Sequence, residues 1–242
     1  MSAWLFDFGN SRLKCAPLHD DGRIGDSVAF DHDTQALPDG WIDALPPRID
    51  AAYIASVAPE PLRVQLLDAL TRRSARIMLA RTVPALAGVR IAYAQAHKLG
   101  VDRFLALLAA HARGAGPWLV AGVGTALTID LLDADGRHRG GRIAPSPALM
   151  REVLQRRVSQ LPALGGDYAE FADDTQAALA SGCIGAALGL IDCSRRAAEA
   201  LLEIPPRLLL HGGGAAALLP LLADVESTPG LVLEGLAVWA HR

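Results

Sequence analysis

The stretch "LFDFGNSRLKCAPLHDDGRI", residues Leu5–Ile24, decides the fold, because a later stretch repeats its pattern. The later stretch is "LVAGVGTALTIDLLDADGRH", residues Leu119–His138. Each runs from an apolar strand through a turn of glycine and hydroxyl residues into a second strand, and then into a turn with Asp and Gly. The offset is about 115 residues when Gly9 is laid on Gly124, whereas solenoid repeats have periods of about 20–50 residues. The chain is therefore predicted to contain a duplicated domain.

The duplication divides the 242 residues into two α/β domains, 1–114 and 115–242, with the boundary near Gly114–Pro117. No long linker separates the halves, so we expect them to pack together with a central cleft. The pattern predicts strands at Ala3–Phe8, Arg12–Leu18, Ala51–Val57 and Ile77–Ala80, and helices from Pro59 to about Arg73 and from Val101 to about Ala112. For the second half it predicts a β-meander within 117–143, helices near Ser146–Gln160 and Thr175–Leu202, a strand at Arg207–Leu210, and closing helices around Ala215–Ala223 and Glu234–Ala240.

The composition favours a globular protein with a small-molecule ligand. Apolar residues make up 51% and charged residues 20%, with a net charge of −3 and scattered basic residues, so no nucleic-acid partner is expected. No apolar run reaches the about 18 residues of a membrane span, and no signal peptide is recognisable, so we expect a cytoplasmic protein without a membrane partner. The three cysteines lack C-x-x-C spacing and the seven histidines are isolated, which favours reduced thiols and no transition metal.

The two glycine turns are suited to gripping a polyphosphate. Glycine lets backbone N–H groups approach an anion, while the hydroxyl and amide groups of Gly9-Asn10-Ser11 and Gly124-Thr125 add donors. Lys14 adds positive charge, and Asp7 is able to hold Mg²⁺ through water. Either turn alone is more often an ordinary hairpin. Two matching turns, together with a third glycine cluster at Gly212–Gly214, favour nucleotide binding.

Five segments resemble the type III pantothenate kinase family in order and spacing. They are "DFGNSRLK" (Asp7–Lys14), "AYAQAHKLGVDR" (Ala92–Arg103), "GTALTID" (Gly124–Asp130), "GGRIAPS" (Gly140–Ser146) and "ALASGCIGA" (Ala178–Ala186). The resemblance covers essentially the whole chain, and its most specific element is the G-x-D-R of Gly100–Arg103. It implies two duplicated ribonuclease-H-like (actin-like ATPase) domains, ATP with Mg²⁺, a monovalent cation (K⁺ or NH₄⁺) and a homodimer. It also implies phosphorylation of pantothenate to 4'-phosphopantothenate, the first step of coenzyme A biosynthesis.

The resemblance also implies roles for individual residues. Asp102 matches the catalytic aspartate, and Asp7 would hold Mg²⁺ through water. The matching substrate-binding residues are Tyr93, Gly100, Val101, Arg103 and Thr175, and the matching ATP-binding residues are Asp7, Phe8, Gly9, Asn10, Ser11, Arg12, Leu13, Lys14, Gly124 and Thr125. From the residues alone, Asp102 is also explained as a first-turn carboxylate favoured by the helix dipole. Tyr93 and Thr175 are equally explained as structural residues.

Three positions depart from the family pattern. Gly122 stands where the family usually has an aspartate, the expected ligand of the monovalent cation, so a cation site at Gly122 is in question. Either other groups hold the cation, or none is needed, or activity is reduced. Ser146 replaces a glycine and should cap the following helix, and Ser11 replaces a threonine but keeps the hydroxyl. Two alternatives remain open: a catalytically weak nucleotide-binding accessory or regulatory protein, like the Bvg accessory factor, and a same-fold kinase for another small hydroxylated substrate.

Overall fold

A computed structural model describes residues 2–33, 35–114 and 116–241. Its strands in chain order are β1 (Ala3–Phe8), β2 (Arg12–Leu18), β3 (Val28–Asp31), β4 (Ala51–Ser56), β5 (Ile77–Leu79), β6 (Ala85–Leu86), β7 (Val89–Arg90), β8 (Trp118–Val123), β9 (Ala126–Leu132), β10 (His138–Pro145), β11 (Arg207–His211) and β12 (Val225–Ser227). The α-helices are α1 (Glu60–Thr71), α2 (Val101–Ala112), α3 (Pro147–Arg157), α4 (Thr175–Leu202), α5 (Ala215–Leu218) and α6 (Leu231–Ala240), with 3₁₀ turns at Trp41–Ala44, Ala96–Lys98 and Leu219–Leu221.

The chain forms two compact units. Unit 1 comprises Met1–Gly114, Asp135–Arg137 and Gly230–Arg242, and unit 2 comprises Ala115–Ala134 and His138–Pro229. The closing helix α6 therefore belongs to unit 1, whereas the division at 114/115 placed it in the second half. The physical reason is close packing of α6 on α2, where a side chain at Gly235 would meet the backbone of Leu105.

The two units have the same sheet topology. In unit 1 the strand order is β3-β2-β1-β4-β5, and in unit 2 it is β10-β9-β8-β11-β12. In each sheet the first three strands pair antiparallel as a meander, and the remaining two add in parallel after crossover connections. Because β1 and β4 are parallel, as are β8 and β11, the carboxyl ends of each pair lie at one edge of the sheet. The duplication predicted from the repeated sequence is confirmed.

The core of unit 1 explains why its elements form where they do. Helix α1 begins after Pro59, which suits the first turn, and buries Leu62, Leu66 and Leu70 at helical spacing against the sheet. Val64, on the opposite face, is 56% exposed. Helix α2 begins and ends at its predicted residues and is almost wholly buried along its length. The helix that carries Asp102 is thus firmly anchored in the unit.

Helix α4 is the core helix of unit 2. Its length and apolar composition would suffice for a membrane span, but from Ala180 onward its buried residues recur every three or four positions, and the helix packs against β8 and β9. The buried residues are Leu179, Ala180, Cys183, Ala187, Ile191, Ser194 and Ala198. This regular stripe is the pattern of a helix that covers a sheet.

Candidate active site

The first glycine turn closes the hairpin between β1 and β2 in unit 1. Its backbone is held by a hydrogen bond from the Gly9 N–H to the Arg12 carbonyl at 2.9 Å, and Asn10 and Ser11 are exposed. A Cβ on Gly9 would touch only the Arg12 carbonyl, at 3.5 Å, so the fold itself does not require glycine here. A glycine that the fold does not require is consistent with a ligand that approaches the backbone closely at this turn.

The predicted ATP-binding stretch divides into exposed and buried side chains. Phe8 and Leu13 are completely buried in the core, so only their backbone groups can reach a ligand. The Arg12 guanidinium pairs with the Asp31 carboxylate, with Nε 2.5 Å from Oδ1. Neither this ion pair nor β3, which supplies Asp31, is part of the sequence prediction.

Sequence reasoning missed His32 as a support of the first turn. Its Nε2 lies 3.1 Å from the Gly9 carbonyl oxygen, and its backbone N–H donates to the Ser11 carbonyl at 3.1 Å. The imidazole also packs edge-on against Phe8, with ring centroids 5.0 Å apart. Because β3 is a short edge strand of exposed residues, no periodic signal marks this contact in the sequence.

Asp7 and Lys14 face one another across the β1–β2 hairpin, as register partners just before and after the turn. Burial raises the pKa of Asp7 from 3.8 to about 7; the Lys14 ammonium opposes this shift, and the Asp102 carboxylate adds to it. The Coulomb effect of Asp102 places these two carboxylates near each other. A single carboxylate beside an open turn fits Mg²⁺, which keeps several waters and takes one or two carboxylates.

Asp102 and Arg103 lie in the first turn of α2, directly after Gly100. The Asp102 carboxylate bends back and its Oδ1 accepts from the Arg103 N–H at 2.9 Å. A Cβ on Gly100 would lie 2.6 Å from that same Oδ1, so glycine at this position gives the carboxylate its room. The buried Thr82 hydroxyl donates to the Leu99 carbonyl at 2.8 Å and holds the segment that leads into the helix.

The Arg103 side chain is buried, only 7% of it being exposed, and points toward Tyr93. Its Nη1 donates to the Tyr93 hydroxyl oxygen at 3.4 Å. The structure of unit 1 therefore joins Asp102, Arg103 and Tyr93, while charge coupling connects Asp7 with Asp102 and with Lys14. Val101 is the first residue of α2 and is partly buried.

The second glycine turn closes the hairpin between β8 and β9 in unit 2. The Gly124 N–H donates to the Ala126 carbonyl at 2.9 Å, as Gly9 does to Arg12, and both Gly124 and Thr125 are exposed. Gly212, in the third glycine cluster, has a left-handed φ of 96°, and a Cβ there would lie 2.4 Å from the Val123 carbonyl oxygen. Gly212 therefore allows the cluster to pack closely against β8.

Thr175 lies elsewhere in unit 2, at the exposed first position of α4. The helix is capped by Asp174, whose carboxylate accepts from the backbone N–H groups of Gln176 and Ala177. Ser146 caps α3 as predicted, its hydroxyl accepting from the Leu149 N–H at 3.2 Å.

Gly122 does not fit a cation site built on a carboxylate. It offers no side-chain oxygen, and a Cβ there would lie 2.7 Å from the His211 Nε2 and 2.9 Å from the Thr128 Oγ1. The space is therefore already filled by protein groups. Within residues 2–33, 35–114 and 116–241, no cluster of three or more His, Cys, Asp or Glu side chains could hold a metal ion.

Comparison with solved structures gives the class of protein. A Baf family transcriptional activator from Campylobacter jejuni matches with TM-score 0.64 and 18% identity, covering 98% of both chains. An archaeal actin homolog matches with TM-score 0.54 and 10% identity over 100% of both chains. The activator of 2-hydroxyisocaproyl-CoA dehydratase from Clostridium difficile, solved with ADPNP, matches with TM-score 0.54 and 12% identity over 99% and 94%. Two five-stranded sheets of equal topology and these neighbours define a duplicated actin-like α/β fold.

The particular family follows from sequence. Residues 4–197 match the family model described as type III pantothenate kinase. A protein of that name from Stenotrophomonas maltophilia K279a is 57% identical over 240 residues, covering 99% of this chain and 98% of the relative. One from Xanthomonas campestris pv. campestris B100 is 56% identical, with the same coverage. The chain belongs to the type III pantothenate kinase family.

Proposed function

We propose that this protein transfers the γ-phosphoryl group of ATP to the primary hydroxyl of pantothenate, giving 4'-phosphopantothenate in the first step of coenzyme A biosynthesis. The observation that carries the proposal is the grouping of Asp102, Arg103 and Tyr93 beside Asp7 and Lys14 in one unit. Phosphoryl transfer asks the protein mainly for positioning and charge neutralisation, and this set supplies both.

Asp102 is the proposed base or orienter of the attacking hydroxyl. Its Oδ1 is turned toward the backbone of its own helix turn, which fixes the orientation of the carboxylate. The second oxygen can then accept the hydroxyl proton as the oxygen attacks phosphorus in line. Gly100 is required for this arrangement, because a side chain there would collide with the carboxylate.

Arg103 is the proposed partner of the pantothenate carboxylate or of the transferring phosphoryl group. A guanidinium forms bidentate hydrogen bonds with either group, and burial strengthens such bonds. Tyr93 holds one guanidinium nitrogen at 3.4 Å and thereby orients it. Gly100, Val101 and Thr175 are proposed as further substrate contacts.

The two glycine turns are the proposed phosphate-binding loops. Gly9, Asn10 and Ser11 offer backbone and side-chain donors in unit 1, and Gly124 and Thr125 do so in unit 2. Lys14 supplies a positive charge, and Asp7 would hold Mg²⁺ through water. When bound, Mg²⁺ neutralises charge on the phosphate oxygens.

The test measures ADP formation with a coupled assay in the presence of Mg²⁺ and ATP. Pantothenate is compared as the acceptor with a panel of small sugars and hydroxy acids. Turnover with pantothenate exceeding that with every other acceptor supports the proposal. Preference for another acceptor would favour a same-fold kinase with a different substrate. ATP binding without any turnover would favour the accessory-protein alternative.

We further propose a homodimer that uses unit 2. The stretch from β10 to the start of α4 carries a set of exposed large apolar side chains, and α3, within it, has no buried residue. These side chains are Ile143, Val153, Leu154, Val158, Leu164 and Phe171, of which Phe171 is 98% exposed. Exposed apolar groups at this density are typical of protein–protein contacts. Light scattering on wild type and on Phe171→Ser should show a dimer that the substitution weakens, whereas a monomeric wild type would refute it.

The proposed location is the cytoplasm, where ATP is abundant and thiols remain reduced. All three cysteines are free, and burial raises the pKa of the Cys15 thiol to about 12. An inert buried thiol of this kind is compatible with a reducing compartment.

A further inference from the structure

A row of three residues crosses the sheet of unit 2 just before the second glycine turn. Gly122 on β8 is the register partner of Thr128 on β9 and of His211 on β11. Because side chains alternate along strands, the row shares the face opposite Ala121 and Val123, which belong to the core of the unit. The middle position of the row has no side chain.

The duplication supplies the matching row in unit 1. There Asp7 on β1 is the register partner of Lys14 on β2 and of Ala55 on β4. Unit 1 thus has a carboxylate in the middle and a methyl group on the parallel neighbour, whereas unit 2 has no side chain in the middle and an imidazole on the parallel neighbour. A large and a small group have changed places between adjacent strands.

The geometry shows that the imidazole fills the space that a carboxylate at Gly122 would need. An added Cβ would lie 2.7 Å from the His211 Nε2 and 2.9 Å from its Cε1, closer than real contacts allow. The backbone after His211 is fixed, since the Gly214 N–H donates to the Val123 carbonyl at 2.9 Å and Gly212 packs on that same carbonyl. The His211 ring and a side chain at position 122 therefore cannot occupy this space at the same time.

We propose that His211 takes the place of the carboxylate and its monovalent cation at the second phosphate turn, so that ATP binding and turnover need neither K⁺ nor NH₄⁺. The imidazole N–H replaces the cation as a group that can face phosphate oxygen. This inference rests on ATP binding at the turn of Gly124 and Thr125, and makes His211 a positioning residue.

The first test uses the wild-type protein in chlorides of Na⁺, K⁺ and NH₄⁺ at equal ionic strength. Two quantities are measured: kcat/KM for ATP, and the rise in melting temperature caused by the ATP analogue ADPNP with Mg²⁺. The inference expects both to agree among the three salts, with kcat/KM varying by less than about threefold. A larger stimulation by K⁺ or NH₄⁺, or a melting-temperature rise that depends on them, would overturn it. Since the melting measurement omits pantothenate, it stays valid if the proposed acceptor is wrong.

The second test is a double-mutant cycle with Gly122→Asp, His211→Ala and their combination. Each single change should lower kcat/KM for ATP about tenfold or more, the first by displacing the ring and the second by removing it. The double variant reproduces two positions of the unit 1 row, the carboxylate in the middle and the methyl group on the parallel neighbour, and should recover activity only when K⁺ or NH₄⁺ is present. The effects are then non-additive, as expected for groups that share one space.

Two control variants separate this role from general damage. His19→Ala removes an exposed histidine of unit 1, and Gly189→Asp adds a carboxylate at an open position of α4. Neither should introduce a dependence on K⁺. Additive effects in the cycle, or a His211→Ala enzyme equal to wild type in all salts, would refute the shared position. The wild-type salt series decides the cation requirement even if a variant fails to fold.

Discussion

Asp7 should make the ligand-free protein less stable as pH rises from mildly acidic to neutral. Burial and the Asp102 charge raise the pKa of Asp7 from 3.8 to about 7 in the folded state, against the opposing effect of Lys14. A carboxyl group with a raised folded pKa contributes its stability fully below the unfolded pKa, and loses it as pH rises through the folded pKa. The shift corresponds to a total of about 4 kcal/mol, of which about 2–3 kcal/mol falls between pH 5 and 8. Because Asp7 is only partly shielded from solvent, these are upper values.

The variant Asp7→Asn removes this titration while keeping the size of the side chain. It should match wild type near pH 4 and exceed it in free energy of unfolding by up to about 4 kcal/mol at pH 8. Urea denaturation in EDTA, at several pH values and without nucleotide, measures the difference. The surface variant Asp39→Asn is the control. Parallel pH profiles for wild type and Asp7→Asn would refute the reasoning.

The remaining predictions concern catalysis and packing. Asp102→Asn should lower kcat by about 10²–10⁴-fold with little change in ATP affinity, measured by steady-state kinetics and calorimetry; near-normal turnover would exclude its role as base. Gly235→Ala should cost about 2–3 kcal/mol or more in urea denaturation, because its Cβ would collide with the backbone carbonyl oxygen of Leu105 on α2. The control Gly182→Ala, at an open position of α4, should be neutral or stabilising. Ser146→Ala should cost about 1 kcal/mol through loss of the α3 cap, with Ser146→Thr nearly neutral; equal losses would contradict a capping role.

Local patterns predicted much of the fold. The hairpin of β1 and β2 and the helix α2 occur at their predicted residues, because turn residues, alternation and helical apolar spacing are properties of short segments. The long helix α4 also has its predicted bounds, since a 28-residue apolar repeat without Pro leaves few alternatives. Repetition of the turn pattern then predicted the equal topology of the two sheets.

Contacts between distant segments could not be predicted in the same way. The apolar sequence of α6 indicates a buried helix but not which core it joins, and its place against α2 depends on a close approach at Gly235. The short edge strands β3 and β12 have little apolar signal. Gly122 stood out in the sequence as a departure, yet nothing there indicates that His211, nearly ninety residues later, fills its space.

The most direct test of the central claim is ³¹P NMR of the reaction of the purified protein with Mg²⁺, ATP and pantothenate. The account expects loss of the γ-phosphate signal together with growth of a phosphomonoester signal coupled to the primary CH₂ of pantothenate. Asp102→Asn should produce that signal at most at a small fraction of the wild-type rate. Unchanged ATP, or hydrolysis to inorganic phosphate without the phosphomonoester, would contradict the assignment of this protein as a pantothenate kinase.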